Sequence, residues 1–337
     1  MGEKIDIFCH WLPAGYGNYV KQRADTVPFM FERALSMPVM TDLDHRFALM
    51  DGFPGYRQIP SLVSPPLDQF GSKNLASDLA RKANDGAASL VEKYPERFPS
   101  FVASVSMNPV DAMLDEAQRA VQDLGACGVQ IFSQVDGQPV DGETYEPFYE
   151  LMAELDRPIW LHPARGAEFP DYRSEKYSKY EIWWSVGWLY ESTAAMIRLA
   201  FSGVFERYPS LKIITHHAGA FVPAAEGRLG AGMTVMGART PVELKSLVEH
   251  PSRSSLIDTL KRFYTDSATF GSESAFKSGL DFFGTGHMLF ASDMPFGPDQ
   301  GKHHIETSSA MIEELVDAVV RERIFSENIR ELIRLTE

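Results

Sequence analysis

The 337-residue sequence predicts an α/β protein with the (β/α)₈ fold of a TIM barrel. Short apolar runs alternate with longer helix-like segments, eight such runs are present, and four of them end in a residue that can bind a metal or transfer a proton. Those four runs are Ile5–His10, Pro158–Pro163, Lys212–His217 and Met288–Asp293. The C-terminal ends of parallel barrel strands meet at one mouth, where such folds place their chemistry. We therefore expect one site, assembled from distant parts of the chain.

The eight candidate strands are short runs rich in β-branched or aromatic residues, typical of strands that are buried on both faces. They cover 4–8, 58–63, 100–105, 128–132, 158–161, 211–215, 262–265 and 288–292. Between them, helical spacing of apolar residues predicts helices over 74–94, 111–124, 144–155, 191–204 and 309–321. A doubly wound sheet is the main alternative. It would normally carry a Gly-rich phosphate-binding turn after its first strand, and residues 9–13, Cys-His-Trp-Leu-Pro, contain no glycine.

Two long segments interrupt this regular pattern, one after strand 1 and one after strand 5. Residues 11–57 have weak periodicity and many Pro, Gly, Met and Phe residues. Residues 164–190 are crowded with tyrosine and tryptophan directly after His162. Such aromatic density predicts either a wall for a flat apolar ligand or a subunit interface, where the same residue types are enriched. We treat both segments as insertions on the active face of the barrel.

Composition narrows the class of protein. The length suits a single barrel domain with insertions, over residues 1–337. The formal net charge of −14 argues against a nucleic-acid partner, because binding a polyanion needs clustered Lys and Arg. Two cysteines, Cys9 and Cys127, provide no disulfide framework, and the start of the chain lacks a secretory leader pattern. We therefore expect a cytoplasmic protein that has no membrane span.

Short motifs spread along nearly the whole chain resemble one branch of the amidohydrolase superfamily. The branch contains aminocarboxymuconate semialdehyde decarboxylase and γ-resorcylate decarboxylase. The matching stretches include Ile5–Pro13, Tyr94–Phe98, Leu161–Pro163, Gly203–Pro209, His217–Ala220, Phe263–Asp266 and Ser292–Phe296. The resemblance rests on the order of these stretches and on how much of the chain they cover, rather than on any single stretch.

The resemblance implies a metal site with one unusual position. In these decarboxylases the first strand usually ends in His-x-His or Glu-x-His, an i, i+2 spacing that points both side chains toward the metal. Here Phe8 occupies the first position, and the resemblance implies that His10, His162 and Asp293 bind the metal. Two imidazoles and a carboxylate suit a divalent ion, with zinc expected first and manganese or iron as alternatives. We expect weaker binding than with four protein ligands.

Two adjacent histidines complete the expected chemistry. The resemblance implies that His217 transfers the proton, together with Asp293. His216 has no such match, and it is either an additional metal ligand or a packed neighbour.

Three side chains are candidates for substrate binding. Arg228 could bind a substrate carboxylate bidentately, although a helical Arg is more often solvated or paired. Trp183 and Trp188 could contact an aromatic ring. The remaining histidines, which are His45, His250, His287, His303 and His304, are interpreted as packed or surface residues.

The resemblance implies a metal-dependent, non-oxidative decarboxylase of a hydroxylated aromatic or muconate-like carboxylic acid. Alternatives are a metal-dependent hydrolase, hydratase or hydroxylase of the same superfamily. Because Phe8 cannot ligate a metal, a non-catalytic subunit that partners a related chain is a further alternative. We expect a homodimer or a hetero-oligomer with a related chain.

Overall fold

All eight predicted strands are present in the computed structural model, which describes residues 2–335. They are β1 (Lys4–Trp11), β2 (Tyr56–Leu62), β3 (Val102–Ser104), β4 (Gly128–Phe132), β5 (Ile159–His162), β6 (Ile213–Thr215), β7 (Tyr264–Asp266) and β8 (Met288–Leu289). Several are shorter than predicted. β7 extends one residue further and includes Asp266.

The strands are parallel and follow chain order around the barrel. β1 pairs with β2, and β3 to β8 form a continuous ladder. The chain after β8 returns to β1: the Ile7 amide donates to the Phe290 carbonyl (3.1 Å) and the Asp293 amide donates to the Phe8 carbonyl (2.9 Å). These bonds place Asp293 beside the end of β1. The (β/α)₈ prediction is confirmed.

The barrel interior is filled by side chains of the strands. Trp160 is fully buried, and its indole N–H donates to the Ile7 carbonyl at 3.0 Å. Its ring lies against Gly128, where a Cβ atom would approach the ring to 2.4 Å. Glycine is therefore required at position 128, because any side chain there would displace the tryptophan. Phe8 packs into the same cluster as Trp160.

Helices cover the outside of the barrel. The longer ones are Lys73–Lys93, Val110–Gln122, Glu146–Glu154, Gly187–Phe201, Glu273–Phe283 and Lys302–Leu315. Shorter ones are Val204–Arg207, Glu226–Leu229, Leu256–Leu260, Ala318–Glu322 and Asn328–Ile333. Within residues 2–335, no helix is long and apolar enough to cross a membrane.

Two helix predictions need correction. The helix predicted over 309–321 begins at Lys302 and stops at Leu315, and a second helix follows because the Asp317 carboxylate caps the amides of Val319 and Val320. The helix predicted over 191–204 spans Gly187–Phe201 and ends before Gly203, which has a left-handed φ of 75°. The first four residues of that helix lie in the predicted insertion 164–190.

Both insertions are present, and they are not irregular throughout. The first contains four short helices: Tyr16–Lys21, Phe29–Leu35, Pro38–Thr41 and Leu43–Met50. Arg46, on the last of them, is fully buried and donates to the carbonyls of His10 (2.9 Å) and Val39 (3.1 Å). The insertion is thus fastened to the strand that carries His10. The second insertion contains a short helix, Ile182–Ser185.

Candidate metal centre and cavity

Six side chains from β1, β5, β7 and the segments directly after β6 and β8 form a buried histidine–aspartate cluster at the C-terminal mouth. The cluster consists of His10, His162, His216, His217, Asp266 and Asp293. The side-chain atoms of His216, His217 and Asp293 lie within 4.8 Å of one another. The convergence of His10, His162 and Asp293 on one mouth agrees with the strand-end pattern of the sequence.

His10 and His162 are held with one ring nitrogen directed at the cluster. The Nε2 atom of His10 lies 3.2 Å from Asp293 Oδ1, and its Nδ1 atom lies 3.1 Å from the Ser61 hydroxyl. The Nδ1–H group of His162 donates to the Pro163 carbonyl at 2.7 Å, which leaves Nε2 with a free lone pair. The two rings are 5.4 Å apart. Such backing of one nitrogen is how metal-binding histidines are usually oriented.

Asp293 is the acceptor around which the histidines gather. Burial alone would raise its pKa, but the three neighbouring histidines, His10, His216 and His217, outweigh burial and hold the pKa well below the usual value. Its backbone has a φ of 62°, in the left-handed region that is sparsely populated by residues with a side chain. His217 has a φ of 60°. Such backbone strain is concentrated at functional sites.

The histidines of the cluster have opposite electrostatic environments. Burial alone would lower the pKa of His216, but the charge and hydrogen bond of Asp266, with Asp293, raise it to about 10. Burial and the charges of His10 and His216 lower the pKa of His162 well below its ordinary value. Burial and the charge of His216 also lower the pKa of His217. The carboxylates of Asp266 and Asp293 therefore favour a positively charged group at the centre of the cluster.

The donor set fits a divalent metal. The His216 Nε2 atom is buried and has no hydrogen-bond partner within residues 2–335, and the carboxylates of Asp266 and Asp293 lie on either side of its ring. Imidazole nitrogens and carboxylate oxygens are the ligands of zinc, manganese and iron in proteins.

A cavity of about 900 Å³ lies directly above this cluster. Asp293 and His217 form part of its lining, whereas His10, His162 and His216 lie beneath it. Its aromatic wall consists of Phe29, Trp183, Trp184, Trp188, Phe221, Phe270 and Phe296. The volume falls in the range of about 300–1,000 Å³ that is usual for small-molecule sites. The wall draws on both insertions.

Trp183 and Trp188 both line this cavity. Trp188 meets the His162 ring edge-on at 5.8 Å and the Trp183 ring at 5.7 Å. Arg228 differs, because it is exposed on the short helix Glu226–Leu229 and is not part of the cavity lining. The guanidinium that does line the cavity belongs to Arg33, stacked over Phe296 at 5.1 Å.

Sequence reasoning missed two features of the site. Asp266 is the last residue of β7 and belongs to the Phe263–Asp266 motif, but the sequence analysis assigned it no role. Its position at a strand end could have indicated one. His304, interpreted as packed or exposed, does stack on Phe270 at 4.2 Å, but it also lines the cavity.

Comparison with known proteins agrees with this geometry. The sequence profile of a family described as Amidohydrolase matches residues 5–335. The chain is 30% identical over 289 residues to the γ-resorcylate decarboxylase of a Rhizobium species, covering 82% of this chain and 84% of that protein. The structure of 2,6-dihydroxybenzoate decarboxylase from Rhizobium superposes with a TM-score of 0.79 at 25% identity and covers 99% of both chains.

A second solved structure shows the same fold. It is that of dihydroxybenzoic acid decarboxylase from Polaromonas sp. JS666, which contains bound manganese and an inhibitor, 2-nitroresorcinol. The TM-score is 0.77 at 24% identity, and 100% of this chain and 98% of that chain are covered. Profile, sequence and fold agree with the resemblance read from the motifs: the chain belongs to the amidohydrolase family.

Proposed function

We propose that this protein is a metal-dependent, non-oxidative decarboxylase that acts on a hydroxylated aromatic carboxylic acid. The observation that carries the proposal is the position of His217 and Asp293, which belong both to the buried cluster and to the lining of an aromatic cavity. A flat acid lying on the aromatic wall would present its reacting carbon to these two side chains. The aromatic-acid decarboxylases among the similar proteins support the same chemistry.

The metal would be held by His10, His162 and Asp293. It would supply Lewis acidity for the carboxylate or hydroxyl oxygens of the substrate. Zinc is the ion expected from the ligand types, and the manganese bound by the Polaromonas enzyme makes manganese the first ion to compare with it.

The remaining chemistry belongs to the chain's own side chains. Decarboxylation requires a proton at the ring carbon, after which the electron pair of the broken carbon–carbon bond restores the ring and carbon dioxide leaves. His217 faces the cavity, with Nε2 3.9 Å from Asp293 Oδ2, so this pair would hold and move that proton. The aromatic wall would orient the ring and exclude water. Muconate-like acids remain the alternative substrates, and a cytoplasmic location and an oligomeric assembly remain predictions.

The test is carbon dioxide release from a panel of hydroxybenzoates and muconate-like acids, after loading the protein with zinc or with manganese. His217→Asn should keep the fold and the metal and should lose roughly 10²–10⁴-fold in turnover, the usual contribution of a positioned acid or base. His45→Asn is the matched control, because His45 is exposed and pairs with Asp42 outside the cavity lining. Equal activity of both variants would contradict the role of His217.

Phe8 favours one second candidate, a non-catalytic subunit. A phenyl ring at a ligand position is what a barrel that had lost its own catalysis would carry. If the metal-loaded protein is inactive on every acid and becomes active only with a related chain added, the subunit interpretation replaces the decarboxylase.

A further inference from the structure

Phe8 and His216 are packed against each other inside the barrel. Both side chains are completely buried, and their rings stack with centroids 4.0 Å apart and planes inclined by 17°. Phe8 lies two residues before His10 on β1, at the position where the resemblance implies a ligand. The phenyl ring therefore supports the flat face of the His216 imidazole, which directly follows β6.

The orientation of His216 is fixed from its other side. Its Nδ1–H group donates to Asp266 Oδ2. The other oxygen of Asp266 accepts the amide N–H groups of His217 (3.0 Å) and Ala268 (2.9 Å), so the carboxylate cannot rotate away. Carboxylate backing of Nδ1 is the arrangement that directs the Nε2 lone pair of a histidine at a metal.

The Nε2 atom of His216 is directed at the centre of the cluster. It lies 3.5 Å from Asp293 Oδ1, the same oxygen that lies 3.2 Å from His10 Nε2. It is buried and has no hydrogen-bond partner within the described residues 2–335. A buried polar nitrogen normally has a partner, because leaving it unsatisfied is unfavourable.

The neighbouring His217 is placed differently. It lines the cavity, its ring meets Phe270 at 5.9 Å, and its Nε2 atom lies nearest the other Asp293 oxygen, Oδ2. His216 is not part of the cavity lining. One histidine of the pair can therefore meet a substrate, and the other can meet only what the cluster binds.

We propose that His216, directly after β6, is the fourth protein ligand of the metal and takes the place of the ligand that the resemblance implies at position 8 of β1. This inference rests on the proposed metal dependence. The ligand set becomes His10, His162, His216 and Asp293, with Asp266 orienting His216 and His217 left free for the substrate's proton. Phe8 is then part of the site, since its ring keeps the imidazole in place.

The test is the dissociation constant for manganese and zinc, measured without substrate on the purified full chain. Replacing His216 with Ala should weaken binding by more than the roughly 10–100-fold that loss of an orienting partner costs. Replacing Asp266 with Asn should fall within that range. His45→Ala is the matched control, and its affinity should stay within about threefold of the wild type, because His45 is exposed and pairs with Asp42 outside the cluster. His217→Ala should weaken binding by no more than the loss of an orienting partner does, because His217 contacts Asp293 without being a ligand itself.

A second arm returns the ligand to β1. In the background of His216→Ala, the change Phe8→His should recover metal affinity, because it restores the i, i+2 pair beside His10. X-ray absorption of the metal-loaded wild type should count three imidazoles, a measurement that does not depend on whether a variant folds.

The outcomes separate this inference from the proposed function. Wild-type affinity in His216→Ala, or two imidazoles in the absorption spectrum, would overturn the ligand assignment and leave a metal enzyme with three protein ligands. A wild-type protein that binds neither ion would overturn both proposals. If His217→Ala loses the metal and His216→Ala retains it, the assignment is overturned and His217 is the ligand.

Discussion

The histidine–aspartate cluster and the aromatic wall above it are built in different ways. The cluster comes from strand ends and the turns that follow them, and all of its histidines and carboxylates except the cavity-lining His217 are almost fully buried. The wall comes largely from the two insertions, and Phe29 and Trp184 are partly in solvent, with 75% and 37% of their surfaces exposed. Strand ends are fixed by the barrel, whereas insertions can vary without disturbing it. Reaction type should therefore depend on the cluster and substrate choice on the wall.

The largest effect is expected from a ligand of the cluster. Replacing His162 with Ala removes an imidazole whose Nδ1 atom is already committed to the Pro163 carbonyl. Metal content should fall from about one ion per chain, and turnover should fall at least roughly 10²-fold with it. Elemental analysis of protein purified without chelator checks this. Trp183→Ala should keep its metal, and full occupancy in the His162 variant would refute the ligand assignment.

The next-largest effect concerns stability. It involves the carboxyl group of Asp6, which links β1 to the segment after β8. Asp6 is fully buried and accepts hydrogen bonds from the Tyr56 hydroxyl and from the backbone and hydroxyl of Ser292. Burial raises its pKa to about 7, although these donors act in the opposite direction. Ser292 directly precedes Asp293, so this acid supports the turn that carries the central carboxylate.

The sign of the pH dependence follows from that shift. The folded pKa of Asp6 exceeds the value of about 4 in the unfolded chain, so the folded state binds the proton more tightly. Its stabilising contribution is complete below about pH 4 and is lost as the pH rises through about 7, on the order of 4 kcal/mol in total. Denaturant titrations should show a flatter pH dependence in Asp6→Asn, and parallel profiles would contradict this origin.

A smaller effect is expected from the inner part of the wall. Trp188 lies edge-on against His162, and its indole N–H donates to the Arg165 carbonyl at 3.1 Å. Trp188→Ala should raise KM about tenfold, the equivalent of one aromatic contact, with metal content unchanged. Steady-state kinetics together with metal analysis separates the two quantities. Loss of metal in this variant would show that wall and cluster are not independent.

The smallest effect is expected at the rim. Trp184 is more exposed than Trp188, and its indole N–H donates to Glu181 at 2.8 Å rather than to the barrel. Trp184→Ala should change KM by less than about threefold, because a half-solvated ring gains less from contact with a ligand. If Trp184→Ala raises KM as much as Trp188→Ala does, the substrate extends to the rim and the division between inner wall and rim is wrong.

The sequence predicted the cluster better than the wall, for a physical reason. His10, His162 and Asp293 each follow a short apolar run, and parallel strands bring their ends together whatever the helices do. The strand-end position of Asp266 was a usable signal, but its role depends on a contact with His216, directly after β6, and no local pattern encodes that contact. Arg228 was placed near a substrate from its residue type alone, but the direction in which a helix presents a side chain depends on packing. The break at Asp317 likewise depends on a capping bond.

Trp160 fills the interior of the barrel beside Gly128. Its fully buried ring lies against Gly128 and packs in the same cluster as Phe8, so this part of the barrel interior is filled by side chains. In the proposed reaction, the acid, the carbon dioxide and the aromatic product would all pass through the single mouth beneath the insertions. Carbon dioxide would then form beside the cluster, with the aromatic product against the wall. How tightly the wall holds the ring would therefore decide the order in which the two products depart.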